Sequence, residues 1–291
     1  MKLTNTTTNA VLAAISAIVL MAAVPTLIKL NSGSVIEIAT VRLLIASAGL
    51  SVWLLLKKIS FYNLSKRQWL SLISIGCVFA VHWFLYFKSI KLSTPSIAAI
   101  TVSTYGMHLL LLSAVILKQS VTKIELLLVV IAFIGLYLVI PELHWESEFF
   151  IGAVAGILSG FLYAVLPILH RKTNSIDTNQ RAWAQFFFAL LVFAPWGIGE
   201  SWTLSANDWL GLLALGVIST LFAHTLWIKA TTELSGVVSG MLYYLYIPLA
   251  IGISILFVEE DITLAMIIGA SIIVISNVLL VYSKWSGQKV V

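Results

Sequence analysis

Ten stretches of the chain are each long and apolar enough to cross a lipid bilayer as a helix: 10–30, 35–56, 68–90, 95–117, 123–140, 149–170, 181–199, 208–230, 236–257 and 262–282. A helix rises about 1.5 Å per residue, so roughly 20 residues cover the ~30 Å hydrocarbon core. Backbone N–H and C=O groups find no water there, which leaves only helices and closed barrels as spanning structures. The runs are continuous rather than alternating, and this selects helices over barrel strands. The expected fold is therefore all-α and integral to a membrane, with ten transmembrane helices and no room between them for a soluble domain. Composition agrees, with 60% apolar and 10% charged residues against about 45–50% and 25% in soluble domains. Soluble enzymes, secreted scaffolds and disordered proteins are poor readings of such a chain. Cys77 is the one cysteine, so no internal disulfide forms. No Cys/His cluster has metal-ligand spacing, and neither metal nor cofactor is expected.

Lysine and arginine set the expected orientation. With the N-terminus inside, thirteen of the 17 basic residues fall on cytoplasmic segments, only Lys29, Lys88 and Lys91 fall outside, and Arg42 lies within a span. The outer connections carry acids instead, among them Glu142, Glu200, Asp208 and Glu260. The expectation is a multi-pass protein of the bacterial inner membrane with both termini cytoplasmic. The net charge of +5 then reads as topology. Its basic residues are spread over four loops and two tails, so nucleic acid is not an expected partner.

Two segments match at an offset of about 141 residues. Ile75-Gly76 through Tyr86-Phe87-Lys88 corresponds to Leu215-Gly216 through Trp227-Ile228-Lys229, and Tyr105 falls on Tyr246. The chain divides into five-helix repeats at 1–141 and 142–291. Five is odd, so the second copy enters the membrane from the opposite side. Inverted repeats of this kind are the architecture of many secondary transporters, with the substrate site between the copies near the midplane.

The chain resembles the ten-helix EamA-type permeases of the drug/metabolite transporter superfamily. Leu242-Tyr243-Tyr244-Leu245-Tyr246-Ile247-Pro248, then Glu259-Glu260-Asp261-Ile262-Thr263 and Gly269-Ala270, is similar to the family's proline, glutamate, threonine and glycine ending. Arg42 and Lys88 sit where the family often places basic residues. The first half departs from the pattern, with Met107 in place of the proline, Gln119 in place of the glutamate, and Met21-Ala22-Ala23 where a Trp-Gly pair is common. The resemblance implies transport of amino acids, related metabolites or drugs, mostly by export.

Polar groups inside spans are expensive unless they face a cavity or a partner. Helical spacing puts His82 with Tyr86, Thr101 with Tyr105 and His108, His224 with Trp227, and Tyr243 with Tyr246 on shared faces. These residues are the expected lining of a central pathway between spans three, four, eight and nine. Glu37, Arg42 and Lys88 are the candidate gate or charge residues near its outer end. For Arg42 three partners stand open: helix-end carbonyls, an outer gate, or a substrate carboxylate. Pro25, Pro167 and Pro248 interrupt helical bonding and either bend a gate or fill a packing kink.

No acid lies at the midplane, so the lining suits a small amphipathic zwitterion such as an amino acid. Aromatic faces would take its apolar part and polar groups its ends. An importer of a small amine or vitamin-like metabolite is the alternative carrier, and a non-transporting scaffold the alternative class. An intramembrane enzyme would need an aligned set such as His-Glu-x-x-His or paired aspartates, and neither occurs. The expected partners are a small-molecule substrate and the bilayer, and a homodimer stays open.

Overall fold

The computed structural model describes residues 5–116, 118, 121–140, 144–234 and 236–287, and among these there is no strand. Gln119 and the 141/142 boundary between the halves lie outside the described residues. The helices are α1 (Asn5–Met21), α2 (Val24–Leu30), α3 (Val35–Leu56), α4 (Lys66–Leu92), α5 (Pro95–Val102), α6 (Tyr105–Ile116), α7 (Lys123–Val139), α8 (Glu148–Lys172), α9 (Thr178–Gly197), α10 (Ala206–Ala214), α11 (Ala223–Glu233), α12 (Gly236–Tyr243), α13 (Tyr246–Val258) and α14 (Leu264–Gly287), with a π-helical segment, Leu215–Phe222, between α10 and α11.

Among the described residues, six helical stretches are both long and apolar enough to cross a membrane: Thr8–Leu30, Val35–Leu56, Lys66–Leu92, Pro95–Ile116, Glu148–Lys172 and Ala206–Glu233. Three of the other four expected spans depart for local reasons. α7 has 17 residues, about 26 Å at the helical rise. α9 opens with Thr178, Asn179, Gln180 and Arg181, which dilutes its hydropathy. The ninth stretch is split into α12 and α13, whereas the tenth is the 24-residue helix α14.

Short polar sequences start the helices. Ser34/Glu37, Ser65/Gln68, Thr122/Glu125, Asp177/Gln180 and Ser205/Asp208 each form a reciprocal capping box, which satisfies orphan N–H groups at an end that enters lipid. Three stretches are interrupted: the first at Ala22-Ala23, the fourth at Ser103-Thr104 and the ninth at Tyr244-Leu245. The last two breaks are 141 residues apart, the offset of the internal match.

α4 and α8 run antiparallel along their length. The Cα of Gly152 faces Leu92 and Ser93, that of Gly156 faces Ser89 and Thr101, and Ser159 bonds His82. A Cβ on Gly156 would stand 2.0 Å from Thr101 Oγ1, so only glycine permits this approach. α7 crosses α14 just as closely, where a Cβ on Gly269 would meet the Gly135 carbonyl at 2.4 Å. The remaining principal packings are α3 with α9, α4 with α9, α1 with α11, and α3 with the π segment. Large apolar side chains such as Leu55, Leu56, Val115, Ile198 and Leu256 cover the outside, as a lipid-facing surface requires.

Candidate functional site

The interruptions converge on one place. Met21 and Val24 flank the first break, Val102 precedes the second, Tyr243 and Tyr246 flank the third, and His224 follows the π segment. All six line a single central cavity, together with Arg42, His82, Trp83, Tyr86, Phe87 and Tyr163. Irregular backbone at membrane depth is tolerated where it is buried or lines a cavity, and here it does both. The cavity measures about 30 Å³, room for a water or two.

Arg42 on α3 is fully buried. Its guanidinium carbon sits 4.2 Å from the centre of the Trp83 ring and 5.1 Å from that of Phe87. Its Nε donates to Thr220 Oγ1 at 3.0 Å. Thr220 belongs to the π segment and donates in turn to Leu215 O, five residues back, at 2.9 Å. Among the described residues Nη1 has no hydrogen-bond partner, and none of those lining the cavity is acidic. Cation–π contacts contribute about 2 kcal/mol when desolvated, which does not offset the several kcal/mol of burying a cation. The site is electrostatically incomplete and positive.

Aromatic rings form the walls. Tyr86 and Tyr246 join α4 to α13 through a hydrogen bond between their hydroxyls. Tyr243 stacks on Tyr246 at 5.4 Å and meets Tyr163 at 5.5 Å. His82 stacks on Tyr163 at 4.7 Å, and its Nδ1 lies 2.8 Å from Ser159 Oγ. His224 stands edge-on to Phe79 at 5.4 Å and 5.7 Å from Trp83.

Of the residues singled out from sequence, Arg42, His82, Tyr86, His224, Tyr243 and Tyr246 meet at the cavity. Tyr105 and Trp227 stand one layer behind it, their rings 5.0 and 5.4 Å from Tyr243. Thr101 does not reach the cavity, because its hydroxyl donates to Ile97 O at 2.7 Å within its own helix. His108 turns toward Phe161 on α8, 5.6 Å away. Glu37 is committed to the Ser34 cap and to Trp202 N at 2.8 Å. Lys88 is exposed, 5.7 Å from the Phe84 ring, and its long stem reaches outward. Sequence reasoning missed Trp83, Phe87, Tyr163, Met21, Val24 and Val102. The repeat carried a signal for two of them: at an offset of 141, Trp83 pairs with His224 and Val102 with Tyr243.

Two repeat-related contacts tie helix ends together. Lys29 at the end of α2 donates to Ser93 O at 2.6 Å and Lys91 O at 3.0 Å. Arg171 at the end of α8 donates to Leu234 O at 3.1 Å. Because α8 is antiparallel to α4, these contacts lie at opposite ends of the molecule.

The EamA-like transporter family matches the chain twice, at residues 8–140 and 150–282. The chain belongs to the EamA-like transporter family. An "uncharacterized transporter" of Archaeoglobus fulgidus is 26% identical over 224 residues, covering 73% of this chain and 75% of the relative. The "uncharacterized transporter YxxF" of Bacillus subtilis is 22% identical over 227 residues, 76% of this chain and 73% of the relative. A solved structure described as a "crystal structure of protein" superposes with a TM-score of 0.70 over 97% of this chain and 98% of its own, at 16% identity. That likeness concerns the fold alone. This EamA-like chain is a transporter and a multi-pass membrane protein, carrying two copies of the family domain.

Proposed function

We propose that the chain is a ten-helix secondary transporter, built as two inverted five-helix repeats, that moves a small amphipathic amino acid or close relative across the bacterial inner membrane by alternating access. Both termini face the cytoplasm, and export is the direction that the family resemblance favours.

Packing supports the inverted arrangement. With the expected spans numbered one to ten, span three packs on six as span one packs on eight; three meets seven as eight meets two. Spans two and seven, four and nine, and five and ten meet one another. Exchanging the halves therefore preserves the neighbours. The antiparallel run of α4 and α8, and the Lys29 and Arg171 contacts at opposite ends, fit a second copy that faces the other way. With both ends tied and a cavity sized for water, the conformation is a closed one, and an amino acid enters only when helices part.

The buried, incompletely bonded Arg42 among aromatic rings is the observation that carries the substrate class. A carboxylate would accept from its free Nη1 and neutralise it, in a pair strengthened by the low surrounding dielectric. The rings of Trp83, Tyr163 and Tyr243 would take an apolar side chain. A simple amine would meet a like charge, so the amine importer is the weaker reading.

Purified protein should be stabilised against heating by at least one of L-phenylalanine, L-leucine and L-threonine, because a ligand of the native state raises its stability by mass action. Arg42→Gln should remove that stabilisation and the matching flux in proteoliposomes. Full flux in this variant would overturn the carboxylate reading.

A further inference from the structure

Two consecutive helices find their main partners elsewhere. Residues 259–263 join α13 to α14, but α13 lies on α5 and α2 while α14 lies on α7 and α12. The close approach of Gly269 to Gly135 holds α14 against α7, so the pair splays. Between α13 and α14 runs a groove of about 510 Å³, within the roughly 300–1,000 Å³ of ligand sites. Ile100, Ile247 and Met266 line it and are buried, which makes them its floor. Ile255 and Ile275 line it and are exposed, which opens it to lipid. Ser271 brings the one polar side chain among the described residues that line it.

Gly252 accounts for the depth. A Cβ there would meet nothing within 4 Å, and the offset of 141 puts Leu111 at the equivalent place in the first copy. The groove follows α14 from Ile262 to Val274. That is a rise of about 18 Å, slightly more than half of the ~30 Å hydrocarbon core. Tyr246 of α13 lines the central cavity and Pro248 of the same helix lines the groove, so α13 is the partition between the two spaces.

A void forfeits the dispersion contacts of its walls, and in a bilayer the molecules at hand to fill one are lipids. The length and the apolar lining of this groove match a single extended acyl chain. Its end at Ile262 adds a charge preference. Glu260 turns inward, where it accepts from the hydroxyls of Ser96 and Ser254. Glu259 and Asp261 on either side of it stay exposed. Two exposed acids attract an ammonium and repel an anionic headgroup. We propose that the groove binds one acyl chain of a phospholipid whose headgroup ends in an ammonium, as in phosphatidylethanolamine, with that ammonium against Glu259 and Asp261.

The full-length protein would be placed in vesicles of equimolar phosphatidylethanolamine and phosphatidylglycerol, extracted in detergent and weighed by native mass spectrometry. Wild type should retain one lipid per chain and favour phosphatidylethanolamine about threefold, the scale of an exposed ion pair. Gly252→Leu fills the groove and should cut retention of either lipid about tenfold. Glu259→Gln with Asp261→Asn should keep the retained lipid and lose the preference. If Gly252→Leu does not fold, Val274→Phe narrows the groove from the other helix and should also cut retention. A wild type that retains no lipid, or both equally, would overturn the proposal, as would retention that survives the groove-filling variants. In a Cys77→Ser background, Gly252→Cys chains that cross-link to one another in the vesicles would assign the groove to a second copy and overturn it as well.

Discussion

Two buried arginines hold opposite positions in the molecule's electrostatics. Arg181 on α9 is 1% exposed, and Arg42 on α3 is 0% exposed. Arg181 donates to Ile176 O, His170 O, Thr232 Oγ1 and Thr178 Oγ1, each at 3.0 Å. Arg42 has the single bond to Thr220 and an Nη1 with none. Burial alone therefore does not say what a cation is for. Arg181 closes a turn between α8 and α9 and ties it to α11, and its geometry is finished. Arg42 lines the cavity, held in place by one hydroxyl and two rings, with an Nη1 donor left unused.

The difference has a large expected consequence for stability. Arg181→Met removes four charge-assisted bonds and leaves buried acceptors unmet, which should cost about 3 kcal/mol or more. Arg42→Met removes a poorly compensated charge and should leave thermal stability in detergent equal to or above wild type. Comparable losses in the two variants would break the comparison.

The helix-end contacts extend the contrast from single residues to the two ends. Lys29→Met and Arg171→Met each delete bonds to carbonyls and should cost about 1 kcal/mol. They should also expose the cavity from different sides. With Cys77→Ser and Tyr246→Cys as background, Lys29→Met should speed labelling by an impermeant thiol reagent from outside and Arg171→Met from the cytoplasm. Faster labelling from one side in both variants would contradict the inverted arrangement. The smallest effect is expected at Lys88, an exposed cation over Phe84. Lys88→Met should change stability by less than about 0.5 kcal/mol and leave substrate binding unaltered.

Helix positions were legible because lipid imposes a length and a polarity on every span. Arg42, His82 and the tyrosines were legible because polar groups at that depth need a reason. The breaks were less so. Ser103-Thr104 and Tyr244-Leu245 contain neither glycine nor proline themselves, although Pro248 removes the N–H that would pair with Tyr244 O. Tyr163 looked like one more aromatic in an apolar helix, and only its place opposite His82 and Tyr243 draws it to the cavity. Thr101 and His108 show the converse. Helical spacing gave them the face of Tyr105, but the break just before Tyr105 separates Thr101 from that face, and His108, in the same helix as Tyr105, packs on Phe161.

The π segment has a counterpart in the spelling of the chain. Gly76 and Gly216 are 140 residues apart, whereas Lys88 and Lys229 are 141 apart. The second copy therefore gains one residue between these landmarks, and Leu215–Phe222 is where the backbone carries the wider π turn. Winding the same number of residues as an ordinary α-helix would rotate everything beyond the segment by about 100°. His224 would swing away from Trp83, and Thr220 would lose its alignment with Arg42. The π turn thus absorbs a single extra letter and keeps the phase, and the two copies differ in backbone winding at the point where they share a cation.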